Sequence, residues 1–594
     1  MRLKNRITTA AVFLLLGLSA CDSSIMDASP KDQLSDETVF ADPNLAESFL
    51  NDIYRGTGHG LNGTTLWALT DDGHNTRGGG TTQHMQSNIS PSDPGAIGGD
   101  RFAHYRWSNL YGSIREANIF LNQIDGAEFG EAKKRRMKGE AYFLRAYFYQ
   151  NLLRIYGGVP VFTKVYGLND DFEAPRNSFK ETVDFIVANA DSAAALLPVS
   201  YTGVDVGRAT KGAALALKAR MLLYAASDLY NMNPSGQPEN GYTGGQDRIA
   251  QWRAAKNAAK AVMDLGVYSL FRPDPATPEE AAKNYADIWL TPLNNEFIFA
   301  RYFIQSRGTT DIPNVGRYDG PNGYHNWGSN TPTQNLVDAY RMADGSKFDW
   351  NNPAEAGAPY EKRDPRFYAS IQYDGARWVP RPADVASLDP VGIIQTFTAL
   401  TLPDGSTVPG LDSRFGPIED WNGTYSGYYK RKAIDPAVDH QFVSQEVPWI
   451  FIRYAEILFD YAEASIELNE LDDAVTALNR IRRRGGMPGF SVGMGQAALR
   501  EEYRNERRVE MAFEEQRYFD ARRWMIAPAV FGENARGIKI LVKGTNPLDR
   551  SSYYDYQYSL LDVEQRRWDD KMYFMPIPRD EMNRNGLLRQ NPGY

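Results

Sequence analysis

Apolar residues recur at helical spacing across both ends of this chain and stop doing so across its middle, and that division limits the folds open to it. Residues 43 to 55, 102 to 125, 131 to 155, 178 to 197, 209 to 231, 250 to 265, 448 to 468, 471 to 484 and 497 to 524 set apolar side chains three and four apart, so each predicts an amphipathic helix. Several of these suit antiparallel pairing. Ile452 to Leu468 precedes Leu471 to Arg484, where Ala455, Ala462 and Ala464 permit close approach and Asn469-Glu470 supplies a short turn. Ala213 to Tyr230 and Trp252 to Leu265 form a second candidate pair. A helix pair of this kind leaves one apolar face uncovered and needs stacked neighbours to cover it.

From Asn233 to Asp247, and again from Phe271 to Val447, Gly, Pro, Asn and aromatic residues replace the periodicity. Short strands are expected at Glu296 to Phe303, Phe367 to Tyr373, and Thr396 to Leu402, the last turning at Asp404-Gly405 into Thr407 to Pro409. The helix pairs resemble tetratricopeptide units. The expected fold is therefore mainly α: a tetratricopeptide-like helical repeat scaffold at about 36–265 and 448–594, with long loop-rich insertions and a few short strands. Residues 36–594 are expected to form a single domain. Loops much longer than about 15 residues are uncommon in compact domains unless they serve a function, so the 271–447 insertion is where a ligand is sought.

Arg2, Lys4 and Arg6 precede the apolar run Ala10 to Leu18, which gives way to polar sequence at Asp22. A membrane span needs about 20 apolar residues, so this run is an export signal instead. The sole cysteine, Cys21, follows Leu18-Ser19-Ala20, the layout of a bacterial lipobox. Residues 1–20 are thus expected to be a lipoprotein signal peptide and 21–35 a lipidated tether. Each buried lipid methylene contributes about 0.8 kcal/mol, so several acyl chains on Cys21 anchor a protein to a membrane without spanning it. A formal charge of −9 argues against a nucleic-acid partner, because phosphate contacts need concentrated Lys and Arg.

Lys138 to Tyr149, Lys-Gly-Glu-Ala-Tyr-Phe-Leu-Arg-Ala-Tyr-Phe-Tyr, runs on to Arg154-Ile155-Tyr156-Gly157-Gly158-Val159-Pro160 and resembles the signature helix of the SusD/RagB family. Arg453 to Ile457 with Tyr461 to Ala464, Asn505 to Glu510 with Asp520 to Trp524, and the ending Met575-Pro576-Ile577-Pro578 through Gln590 to Tyr594 are similar to further landmarks of that family. Read physically, these landmarks are architectural. Gly139, Ala141 and Ala146 offer small faces, and Glu506, Arg507, Glu510, Glu514, Arg517 and Asp520 are spaced for intrahelical and interhelical ion pairs.

The resemblance implies a lipoprotein of the outer membrane, facing the cell exterior, that binds a glycan and delivers it to a SusC-like TonB-dependent barrel, with no chemistry and no cofactor of its own. Peptide import is the alternative within the family; a glycoside hydrolase and a tetratricopeptide adaptor are the alternatives outside it. Two segments correspond to the family's usual ligand contacts. The first, Asp71 to Gly80, offers Asp71, Asp72, His74, Asn75 and Arg77 among glycines; the second, Gly316 to Trp327, offers Tyr318, Tyr324, Asn326 and Trp327. Rings in such loops stack on the apolar face of a pyranose. Arg77, Arg301 and Arg307 are the cations placed to meet an acidic sugar. His59, His74, His84 and His104 lack the close pairs or cysteine partners of a zinc site, so no metal is expected. Gly489-Phe490-Ser491-Val492-Gly493 fits the spacing of a hydrolase nucleophile elbow, but it follows a helix where that motif follows a strand, and it is expected to be an interhelical loop. Gly532 to Gly537 spaces like a P-loop, yet Ile538 stands where Lys is required.

Overall fold

The computed structural model describes residues 36–167, 170, 172–303 and 312–594. Cys21, the apolar run before it and Arg307 lie outside these residues.

The scaffold is a file of antiparallel helices. Trp107–Gln123 packs on Glu131–Tyr156, which packs on Phe179–Leu196, and so on through Lys211–Ala226, Arg248–Met263, Tyr454–Glu467 and Leu471–Arg484. Gln496–Glu510 closes against the 454–467 helix. Local chemistry sets several starts: Ser178 and Glu181 form a capping box, and the side chains of Thr210 and Asp247 accept from the backbone amides of Ala213 and Ala250. Gly157 ends the 131–156 helix at φ 83°, a conformation open to glycine at little cost. In the middle of the file, Ala213, Ala214, Ala216 and Ala219 are all buried, which lets the 211–226 helix be approached from both sides.

Both expected pairs form, and the second half of the file shows how the insertion is carried. The 248–263 and 454–467 helices pack together although about 190 residues separate them, so the chain leaves the scaffold, builds the insertion and returns to the helix it left. Within the excursion, Phe297–Arg301 pairs antiparallel with Trp449–Arg453 at its exit. Ala399–Thr401 turns through Gly405 into Thr407–Val408 and also pairs in parallel with Ala535–Lys543, the first strand of a long hairpin completed by Tyr554–Glu564. A second core, including Trp67, Tyr340, Phe367, Phe397, Phe513 and Ile540, fills the space between insertion and scaffold.

Several expected elements differ in kind. The 448–468 segment opens as a strand because Trp449-Ile450-Phe451-Ile452 is β-branched and aromatic and buried throughout. The 497–524 segment breaks at 511–515, where Phe513 and Glu515 adopt left-handed backbone angles, and the 209–231 segment breaks at extended Ser227. The 102–125 segment begins with a 3₁₀ turn, Asp100–Tyr105, and is a regular helix only from Trp107. Residues 367–373, expected as a strand, are mostly the helix Pro365–Ser370, which Asp364 caps and Pro365 starts. The Pro278–Leu290 helix and the 535–564 hairpin were not anticipated. The 489–493 pentapeptide is a loop between two helices, as expected.

The charged residues of the third landmark are buried and bridge elements. Glu510 meets Arg366, Arg453 and Arg484; Glu514 meets Lys432 and Arg453; Glu506 meets Arg366 and Arg482. Arg507 pairs with Asp460 and Asp520, and Arg517 with Asp71. Among the described residues, the intrahelical pairing expected of them is confined to Asp520 with Arg523; Arg507 and Asp520 join neighbouring helices, and the remaining partners lie farther along the chain.

Candidate functional site

Two strands bring the two candidate segments together from some 250 residues apart. Gly73–Asn75 pairs antiparallel with Asn330–Pro332, and the amide of Thr76 donates to the carbonyl of Ser329 at 2.9 Å. Most of the first segment serves this joint. Asp71 accepts from Arg517 at 2.9 and 2.8 Å and lies 2.9 Å from Arg508, while Asp72 accepts from Arg508 at 2.7 Å. Burial pushes the Asp71 carboxyl up, but Arg508 and Arg517 outweigh it and hold the pKa at about 2. Both carboxylates, expected as ligand contacts, are engaged by scaffold arginines. Asn75 is buried, donating to Asn330 Oδ1 at 2.9 Å and accepting from the Arg77 amide at 3.1 Å. His74 is buried 3.6 Å from Glu564, with Tyr425 edge-on at 5.7 Å. Of this segment's named residues, Arg77 alone has an exposed side chain.

The second segment folds back on the short helix Val315–Asp319, whose start Asn314 caps by accepting from the Arg317 amide. The amide of Trp327 donates to Arg317 O at 2.6 Å, and that of Ser329 to Tyr318 O at 2.6 Å. This clamp leaves Trp327 38% exposed, with the Tyr318 ring tilted beside its own at 5.6 Å. The guanidinium groups of Arg77 and Arg317 each sit 5.8 Å from the ring centroid. Gly328 follows at φ 47°, and a Cβ there would stand 2.4 Å from the carbonyl oxygen of Asn422, so the close approach of the two loops requires glycine. Tyr324, expected to stack on a ligand, is buried instead: its hydroxyl donates to Val379 O at 2.8 Å and Arg381 covers its ring at 4.3 Å. Asn326 is likewise buried, with no partner for its Oδ1 among the described residues. Arg301 ends the 297–301 strand, donates to Gly58 O at 3.3 Å and faces the same cleft as Tyr318.

A third segment, not singled out in the sequence, completes the surface. Arg77 Nη2 donates to Asn422 Oδ1 at 2.9 Å, and the loop that carries Asn422 also carries Phe415, Trp421 and Tyr425, which are 67%, 63% and 39% exposed. The loop is stiffened from within: Ser413 and Thr424 bridge, Arg414 donates to Asp420 O at 2.8 Å and lies 4.7 Å over Tyr425, and Glu419 accepts from Asn422 at 2.9 Å. Gly416 and Gly423 between these rings, with Gly410 and Gly427 flanking them, were the available signal. The result is a pinned array of exposed rings and cations built from three loops.

A file of paired helices that supports such a surface, built from one scaffold loop and two loops of the insertion, defines a helical-repeat scaffold with an exposed aromatic face. The chain belongs to the SusD family, whose model matches residues 295–594. A second model, described as "Starch-binding associating with outer membrane", matches residues 26–223. A crystal structure of a SusD-like protein from Bacteroides fragilis is 30% identical, covers 95% of this chain and 100% of its own, and superposes with a TM-score of 0.73. A SusD-like carbohydrate binding protein from the same organism is 22% identical over 93% of this chain and 100% of its own, with a TM-score of 0.71. SusD-like protein P25 of Formosa agariphila is 25% identical over 506 residues, which is 82% of this chain and 79% of that protein.

Proposed function

We propose that this chain is an outer-membrane lipoprotein, anchored through Cys21 and facing the cell exterior, that captures an oligosaccharide and passes it to a SusC-like TonB-dependent barrel. The observation that carries the proposal is the exposed Trp327, with the guanidinium groups of Arg77 and Arg317 each 5.8 Å from its ring centroid and the Trp421 loop alongside. An exposed indole with adjacent hydrogen-bonding groups suits the apolar face and hydroxyl rim of a pyranose. The family's description as starch-binding and associating with the outer membrane supports both the ligand class and the location. The lipobox supports the anchor. Asp71 and Asp72, the carboxylates nearest in sequence to Arg77, are committed to arginines, which favours binding over hydrolysis.

Titration calorimetry of the detergent-purified full chain against neutral and acidic oligosaccharides, with product analysis of each mixture, tests the proposal. Saturable binding without cleavage, lost on Trp327→Ala, is the expected result. Released products overturn the non-enzymatic reading, and a ligand insensitive to Trp327 moves the site elsewhere. Cys21→Ser is expected to shift the protein from the membrane fraction to the soluble fraction.

A further inference from the structure

Most buried arginines in this chain are matched to carboxylates, which is unsurprising with 74 acidic residues against 65 basic ones. The cations around Trp327 are different. Arg77 donates to the amide oxygen of Asn422, Arg101 donates to the hydroxyl of Thr64 at 3.0 Å, and Arg317 lies over the indole. Among the described residues, none of the three has a carboxylate within ion-pair distance. Nearby carboxylates are engaged elsewhere or face other groups. Asp100 pairs with Arg106 at 2.9 Å, Asp52 with Arg55 at 3.1 Å, and Glu419 is held by His325 and Asn422. Glu116 sits on a wall of the adjoining cleft, its carboxyl pushed up by burial and by Asp52. Arg77 is held below the ordinary guanidinium value by burial and then by the charge of Arg101, so two cations repel one another here with no anion between them.

The cleft itself, about 510 Å³, joins this surface through Tyr318, which lines it and also touches Trp327. Arg55, Arg101 and Arg301 lie on its walls with His104, a buried residue whose Nε2 has no hydrogen-bond partner among the described residues. Asp100, paired with Arg106, and Glu116 share these walls, so the cleft is mixed in sign with arginine in excess, and the guanidinium fork fits the paired oxygens of a carboxylate or an oxyanion ester.

We infer that the saccharide taken up at the Trp327 surface is anionic, bearing a carboxylate or a sulfate ester, and that Arg77, Arg101 and Arg317 receive its charge. The inference rests on the glycan-capture reading and narrows it to acidic sugars. The ring of one residue stacks on Trp327, while the charged substituent of that residue or its neighbour takes the anion's place between the arginines.

Two matched pairs of probes test it by titration calorimetry on the full chain: oligogalacturonate with its carboxyl-reduced neutral form, and a sulfated oligogalactan with its desulfated form. The acidic member of one pair is expected to bind at least tenfold more tightly than its neutral counterpart, and the pair that shows the gap identifies the substituent. The gap is expected to narrow as salt is raised, since exposed charges are screened, and to close in the Arg77→Gln/Arg317→Gln double variant, whose folding is checked by its melting temperature. Equal binding of charged and neutral members, or a gap that survives in the double variant, overturns the inference. A ligand found only among neutral glycans, and dependent on Trp327, also overturns it while leaving glycan capture standing. Silence from every charged and neutral saccharide sinks both.

Discussion

Glu515 shows most plainly how one residue's surroundings set its behaviour. It is buried at a left-handed backbone position and accepts from the Tyr105 hydroxyl at 2.8 Å. Burial pushes its pKa up to about 7, with Tyr105, the Leu66 backbone and Arg154 only partly opposing. A carboxyl raised above its unfolded value stabilises the fold fully below that unfolded value, near pH 4.5, and loses the contribution as pH climbs through about 7. Glu515→Gln, which cannot ionise, is therefore expected to match the parent near pH 4.5 and to exceed it at pH 8 by up to about 3 kcal/mol. Urea unfolding at the two pH values checks this, and an equal difference at both would show that the titration of Glu515 does not contribute. The surface residues behave oppositely. Trp327 and Arg77 owe little to the core, and their orientation comes from neighbouring loop backbone.

At the scale of elements, the binding face is three loops locked by a few polar contacts. Asn422 is the joint: its side-chain oxygen holds Arg77, its side-chain nitrogen holds Glu419, and its carbonyl sits against Gly328. Asn422→Ala keeps the backbone and releases Arg77, so saccharide affinity is expected to fall about fivefold, near 1 kcal/mol for one lost charge-assisted bond. An unchanged melting temperature alongside that loss would separate positioning from folding. The exit strand 449–453 carries a different load. Arg453 is wholly buried among Glu296, Glu510 and Glu514. Arg453→Ala leaves three buried carboxylates short of a partner and is expected to cost about 3–5 kcal/mol. Denaturant titration measures it, and a cost below about 1 kcal/mol would mean that water reaches the cluster.

Across the whole molecule, insertion and scaffold share their interior. Arg366 and Lys432 of the insertion meet Glu506, Glu510 and Glu514 of the scaffold, Glu296 of the insertion meets Arg453 and Arg484, and the strand at 399–401 pairs with the carboxyl-terminal hairpin. Neither part can unfold without stranding charge in the other. Residues 36–594 are therefore expected to melt as one cooperative unit in calorimetry, despite a length at which several transitions are usual. Two resolved endotherms would show that the insertion is a separate domain.

The helical scaffold, its two expected helix pairs and its family could be read along the chain, because amphipathic spacing and small-residue faces are local patterns. Ser178, Thr210, Asp247 and Gly157 mark element ends through contacts within a few residues, so those boundaries were legible too. The sequence also placed Trp327 and Arg77 among the candidates, since rings and cations in glycine-rich loops are visible as such. Only the tertiary structure separated Asp71, Asp72, Asn75 and Tyr324, which are buried, from Arg77 and Trp327, which are not. The cause is distance along the chain: Asp71 is neutralised by residues more than 400 positions away, and Asn422 reaches Arg77 across 345. Exposure and charge balance at such a site are sums over neighbours that no local pattern encodes.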